Sequence, residues 1–267
     1  MIDITQIYYP SFDKPGICRV LFYPRREPPG PLDAGIERLM IPVENDVTVG
    51  GRFHQAGLES PTILLFHGNG EIAADYEDIG AIYRGIGINF LPVDYRGYGL
   101  SSGKPTVTAM MRDSHVIFEF VSAWLTRRGF LGPLVVMGRS LGSASALEIA
   151  FHNADRIAGL IIESGFARIL PLLRLLGIHD PELTEASGPQ NLEKIRCVQK
   201  PTLVIHAEYD HIIPFAEGRD LYEASGGVAK KFLGIPGADH NNIFSRGVKQ
   251  YVDTIKSFAE TLFQPRH

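Results

Sequence analysis

Residues 134–146 read Leu-Val-Val-Met-Gly-Arg-Ser-Leu-Gly-Ser-Ala-Ser-Ala, an apolar run that breaks at Gly138 and continues into small residues. Leu134 to Met137 is short, apolar and β-branched at its centre, which predicts a buried strand. Ala144 to His152 has the spacing and the small residues of a helix. Between them stands Gly138-Arg139-Ser140-Leu141-Gly142, a G-x-S-x-G pattern at a strand-to-helix turn. A serine hydroxyl is a weak nucleophile until a tight turn exposes it and a base takes its proton, and flanking glycines keep side chains out of the way of base and substrate. Ser140 is therefore the candidate nucleophile. The N–H of Leu141, at the start of the helix, is a candidate donor to a developing oxyanion. The plainer reading is a Gly-Ser-Gly turn that only reverses the chain.

Outward from this turn, short apolar runs alternate with longer segments of helical period, the pattern of parallel strands joined by crossover helices. Strands are expected at Ile36–Ile41, Val47–His54, Thr62–Phe66, Asn89–Pro92, Leu134–Met137, Ile157–Ile162, Thr202–Ala207 and Lys231–Ile235. The clearest helices are Val107–Arg128, Ala144–His152 and Val248–Phe263. The first two strands have only the short connection around Glu44 to Asp46 between them, so they should pair antiparallel; a parallel crossover needs about a dozen residues. Pro24 to Gly35, with its prolines and glycines, reads as a surface connector.

The 267 residues, 45% apolar and 21% charged, suit one α/β domain over 1–267, with an N-terminal extension over 1–35. A net charge of -4 without clustered Lys and Arg argues against nucleic-acid binding. No apolar run approaches the roughly 20 residues of a membrane span, and the first residues lack the basic start and apolar core of a signal peptide, so a cytoplasmic location is expected. Cys18 and Cys197 fit no metal-ligand spacing and are expected as free, buried thiols.

With its turn, strand order and later loops taken together, the chain resembles the α/β-hydrolase superfamily, and GRSLGS resembles its serine-hydrolase branch that includes the Bem46-like proteins. The likeness runs from about Val47 to the C-terminus and carries four motifs in family order. It implies a mostly parallel eight-stranded sheet with helices on both faces and a short cap after the sixth strand, at about 164–200. His206-Ala207-Glu208-Tyr209-Asp210-His211-Ile212-Ile213-Pro214 is similar to the family's acid loop, with Ala207 where glycine is usual. It puts the acid at Asp210, at the strand edge where ligand crevices form. Pro236-Gly237-Ala238-Asp239-His240-Asn241 resembles the histidine loop and makes His240 the general base. His67-Gly68-Asn69-Gly70-Glu71 looks like the oxyanion loop, with the Asn69 N–H as partner to that of Leu141 and Gly70 as the alternative; each such donor is worth roughly 3 kcal/mol in the transition state. Asp94-Tyr95-Arg96-Gly97-Tyr98-Gly99 resembles a D-x-R-G-x-G turn, in which Asp94 and Arg96 should bond backbone or each other.

Glu163, Glu208 and Asp239 compete with Asp210 for the acid's place, but only Asp210 sits in a full motif. His67, His206 and His211 are read as structural, and His54, His115, His152, His179 and His267 follow no ligand spacing, so neither metal nor cofactor is expected. The leucines of residues 169–178 are too dense for one solvated face. Some should line a pocket or meet a partner, and packing against the core is the plainer alternative. The resemblance implies a serine hydrolase, carboxylesterase-like, cleaving a carboxylic ester or thioester of a small, partly apolar substrate through an acyl-enzyme. Two rivals stand beside it. Gly68-Asn69-Gly70-Glu71-Ile72-Ala73 fits the G-x-G-x-x-A of NAD-dependent oxidoreductases, with Asp94 where a ribose-binding acid would lie. The other is a hydrolase-fold protein that only binds.

Overall fold

Strands whose every residue is buried form the centre of the molecule: β3 (Thr62–Phe66), β4 (Asn89–Val93), β5 (Leu134–Arg139), β6 (Gly159–Glu163) and β7 (Thr202–Ala207) are closed to solvent apart from the first residue of β5. The computed structural model describes residues 2–262 apart from 29, 31 and 33. His267, the end of the expected last helix at Phe263, and three residues of the proline-rich connector lie outside the described residues. With β1 (Ile36–Glu44), β2 (Val47–His54) and β8 (Lys230–Ile235) the strands make one eight-stranded sheet in the order β1-β2-β4-β3-β5-β6-β7-β8. β2 runs antiparallel to both its neighbours, β1 and β4, and every other pairing is parallel. The short β1–β2 connection, with Asp46 at φ 61°, forces the first of these.

Both faces are covered, and strand periodicity decides which residue goes where. Ile63, Leu65, Val135, Met137, Ile161, Leu203 and Ile205 pack with Tyr83, Tyr251 and Ile255. Those three come from α2 (Glu77–Gly85) and α9 (Val248–Leu262). The alternate positions Leu64, Phe66, Val136, Leu160, Ile162 and Val204 join the other core, with Phe118 and Leu147 of α3 (Val107–Arg127) and α4 (Gly142–His152). Each such aliphatic side chain contributes about 1.5–3 kcal/mol by leaving water. The 21-residue α3 starts where the Thr106 hydroxyl accepts the Ala109 N–H and stops at Gly129, whose φ of 74° lets the chain turn back.

The N-terminal extension is more ordered than its composition suggests. Pro15 opens α1 (Pro15–Leu21), which buries Ile17 and Leu21 in the core that holds α3. Between β6 and β7 the chain makes α5 (Ile169–Leu175), a 3-10 turn and α6 (Asn191–Cys197). Ile169, Leu173, Leu192 and Ile195 of this segment belong to the core; Leu175 and Leu176 stay exposed. Helix α7 (Phe215–Ala224) joins β7 to β8, and α8 (Ile243–Arg246) precedes α9. Cys18 is half-buried; Cys197, expected inside, is exposed, because it ends α6 on its outer side.

Candidate active site

β5 delivers Ser140 to the C-terminal edge of the sheet with φ 51°, a left-handed conformation that costs a non-glycine residue about 1–2 kcal/mol. The surroundings hold it there. The Ser140 N–H donates to the Glu163 carbonyl at 2.9 Å, and the Ser140 carbonyl accepts the Ser143 hydroxyl at 2.6 Å. A side chain at 142 would meet the Phe66 carbonyl at 2.0 Å and one at 138 the Gly142 carbonyl at 2.4 Å, so the turn closes only with glycine at both positions.

Three side chains from three strand ends converge there. His240 Nε2 lies 3.0 Å from Ser140 Oγ, and His240 Nδ1 lies 2.7 Å from Asp210 Oδ2. The other oxygen of Asp210 accepts the N–H groups of Ile212 and Ile213 at 3.0 and 2.8 Å. Burial works to raise the pKa of Asp210, but the hydrogen bond with His240, its charge and the Ile213 N–H outweigh it and hold the carboxyl below its usual range. His206 stands behind the acid: its Nε2–H donates to the Ile213 carbonyl at 2.8 Å, and burial lowers its pKa, keeping the ring neutral.

The competing acids are engaged elsewhere. Glu163 accepts from Arg139 and from the Tyr251 hydroxyl. Glu208 accepts the Gly237 N–H, and Asp239 accepts those of Asn241 and Asn242, so both shape the loop that carries His240.

In the loop after β3, Gly68 donates its N–H to Glu71 at 2.7 Å. Among the described residues no acceptor takes the N–H of Asn69 or of Leu141. The extension reaches this loop as well. The Asn69 side-chain carbonyl accepts the Tyr23 N–H and the Tyr98 hydroxyl, both at 2.7 Å, and Arg25 donates to the Gly70 carbonyl at 3.0 Å. Nothing in the composition of residues 1–35 signalled this part.

A cavity of about 350 Å³ opens over Ser140. Gly68, Asn69, Leu141 and His240 border its polar floor; Leu21, Leu172, Leu176 and Ile212 form an apolar wall. Leu172 and Ile212 also border a second, smaller hollow of about 170 Å³ that is mostly apolar. The leucine-rich segment therefore divides, part packing in the core and part facing the space beside Ser140.

Of the remaining histidines, His67 donates from Nδ1 to the Gly68 carbonyl, while His211 lies beside the smaller hollow. His115 and His152, unremarkable in sequence, converge on Glu148 at 3.1 and 3.4 Å, and Lys194 pairs with the same carboxylate and meets its charge. Asp94, buried, accepts the Ala73 N–H at 2.8 Å and fills the space that a side chain at Gly99 would need. It is closed to a ribose, which removes the main support for the dinucleotide reading. Arg96 binds neither backbone nor Asp94; both its distal edges face carboxylates, two bonds of 2.7 Å to Asp113 and one of 2.6 Å to Glu44, because α3 brings Asp113 alongside.

Comparisons with known proteins fit this architecture. A family model described as serine aminopeptidase, S33, matches residues 59–180. The uncharacterized protein Rv2307c of Mycobacterium tuberculosis is 27% identical over 90% of this chain and 86% of its own length. Protein bem46 of Schizosaccharomyces pombe is 30% identical over 68% of this chain and 62% of that protein. The structure of Est1E from Butyrivibrio proteoclasticus with ferulic acid bound superposes with a TM-score of 0.71 over 84% of this chain and 98% of that one, at 20% identity. Among the described residues no helix is long and apolar enough to cross a membrane. The sheet order and strand-end loops give the chain the α/β-hydrolase fold, and these likenesses make it a homologue of the Bem46-like α/β hydrolases.

Proposed function

We propose that the protein is a serine hydrolase that cleaves an ester-type bond of a small, partly apolar substrate through an acyl-enzyme. The observation that carries this reading is the continuous Ser140–His240–Asp210 contact, 3.0 and 2.7 Å at its two joints. In the reaction His240 takes the proton of Ser140 as Oγ attacks the carbonyl carbon, then gives it to the departing alcohol or thiol. Asp210 receives the Nδ1–H, fixes the tautomer that leaves Nε2 free to accept, and stabilises the imidazolium. The N–H groups of Asn69 and Leu141 meet the negative charge that grows on the carbonyl oxygen. Water activated by the same imidazole then releases the acid.

The segment at about 164–200 acts as the cap, and its Leu172 and Leu176 support an apolar acyl or alcohol group. A cytoplasmic setting is in keeping with two unpaired cysteines. A fluorophosphonate probe should label the wild type and not Ser140→Ala; equal labelling of both removes Ser140 as nucleophile. Against p-nitrophenyl esters of increasing length, kcat/KM should rise with the first added methylenes, and a flat profile removes the apolar subsite. The family description makes an amide substrate the alternative, and cleavage of an aminoacyl p-nitroanilide in preference to every ester would select it.

A further inference from the structure

Arg139 stands immediately before Ser140, yet it borders a different cavity, one of about 260 Å³ shared with Glu71, Glu163 and Asn241. Its guanidinium is buried and makes three bonds in three directions. Nε donates to Glu71 at 2.7 Å, one terminal nitrogen to Glu163 at 3.0 Å, and the other to the backbone carbonyl of His240 at 2.9 Å. Each acceptor belongs to a part of the proposed machinery. Glu71 holds the Gly68 N–H and so the loop that presents Asn69; the Glu163 carbonyl holds the Ser140 N–H; His240 is the base itself. The other carboxylate oxygens are engaged by the hydroxyls of Tyr76 and Tyr251.

We infer that Arg139 is a positioning residue that fixes nucleophile, base and oxyanion loop relative to one another through these three bonds. The inference rests on the serine-hydrolase reading above. A planar guanidinium can serve three acceptors on separate loops at once, whereas an ammonium is a point charge without that fork. A buried cluster of one cation and two carboxylates is a weak source of stability, since desolvation offsets most of the attraction. What it supplies is geometry, and an error of about 1 Å in placing reacting groups costs on the order of 100-fold in rate. Burial alone would raise the pKa of Glu71, but Arg139, Tyr76 and His67 bring it down to about 2, so the anchor stays ionised across the neutral range.

The test uses the full chain, with active sites counted by fluorophosphonate labelling so that kcat refers to folded, reactive enzyme only. Arg139→Ala should lose about 100-fold in kcat per labelled site, with KM for a short p-nitrophenyl ester within about threefold of wild type. The vacated space adjoins the 260 Å³ cavity, so added guanidinium should restore kcat saturably and ammonium should not. Arg139→Lys should remain slow. A kcat per labelled site equal to wild type in Arg139→Ala overturns the inference while labelling of the wild type leaves the serine-hydrolase reading standing. If Arg139→Ala does not fold, Glu71→Gln poses the same question at matched size: about a tenfold loss of kcat is expected, and no loss overturns the inference. A wild type that the probe does not label overturns both readings together.

Discussion

Two carboxylates close neighbouring strands at the same edge of the sheet, Glu163 at the end of β6 and Asp210 just after β7, and they do different work. Glu163 is 4% and Asp210 7% exposed, so burial does not distinguish them. Their neighbours do. Glu163 faces a guanidinium and a phenol; Asp210 faces two backbone N–H groups and an imidazole. With one oxygen on the guanidinium and the other on the phenol, Glu163 has neither aimed at the histidine. Asp210, held by its own turn, keeps an oxygen aimed outward. The position of a carboxylate along the sheet edge therefore says less about its role than the donor that reaches it first.

The sharpest way to break this contrast is to neutralise each acid in turn. Asp210→Asn should cut kcat/KM by about 10³–10⁴-fold, because the amide favours the wrong imidazole tautomer, as ester hydrolysis on titrated enzyme will show. Glu163→Gln should cost only about tenfold, acting through placement rather than through the imidazole. Losses of equal size would merge the two roles. Smaller still, Tyr251→Phe removes one donor to Glu163 and should lower stability by about 1–2 kcal/mol in urea unfolding, with kcat per labelled site within about threefold.

A last measurement tests whether acid sensitivity arises at these acids or elsewhere. His54, buried at the end of β2, has its pKa brought down to about 4, chiefly by burial and further by Arg84 and Arg52. The unfolded chain takes up this proton near pH 6.5, the folded one near 4, so stability present above about 6.5 is lost as pH falls across that window. His54→Gln should flatten stability over this range and leave the Asp210 and Glu163 effects unchanged.

Those features written in short, contiguous stretches were legible in the sequence. The strands Val47–His54, Thr62–Phe66 and Thr202–Ala207 have the bounds their apolar runs predict, and Ser140, Asp210 and His240 each sit in a local motif that names them. The structure brings those three within hydrogen-bond reach. The Arg139–Glu71–Glu163 cluster was not legible, because its members are 68 and 24 residues apart and none carries a local signature. Arg96 turned to Asp113 rather than Asp94 for the same reason: α3 supplies a partner that the turn sequence does not contain. The extension held parts that no local signal announced: Pro24–Gly35 was read as a connector, while the preceding Pro15–Leu21 folds against the core and Tyr23 and Arg25 reach the loop holding Asn69.

The positive φ at residue 140 sets a conflict between durability and chemistry at a single residue. Alanine there would inherit the same uncomfortable backbone, whereas glycine would relax it by about 1 kcal/mol relative to alanine. Selection for thermal endurance alone would thus drift toward glycine at the elbow. On the proposed mechanism, the strain at the elbow is the cost of holding a hydroxyl within reach of its base.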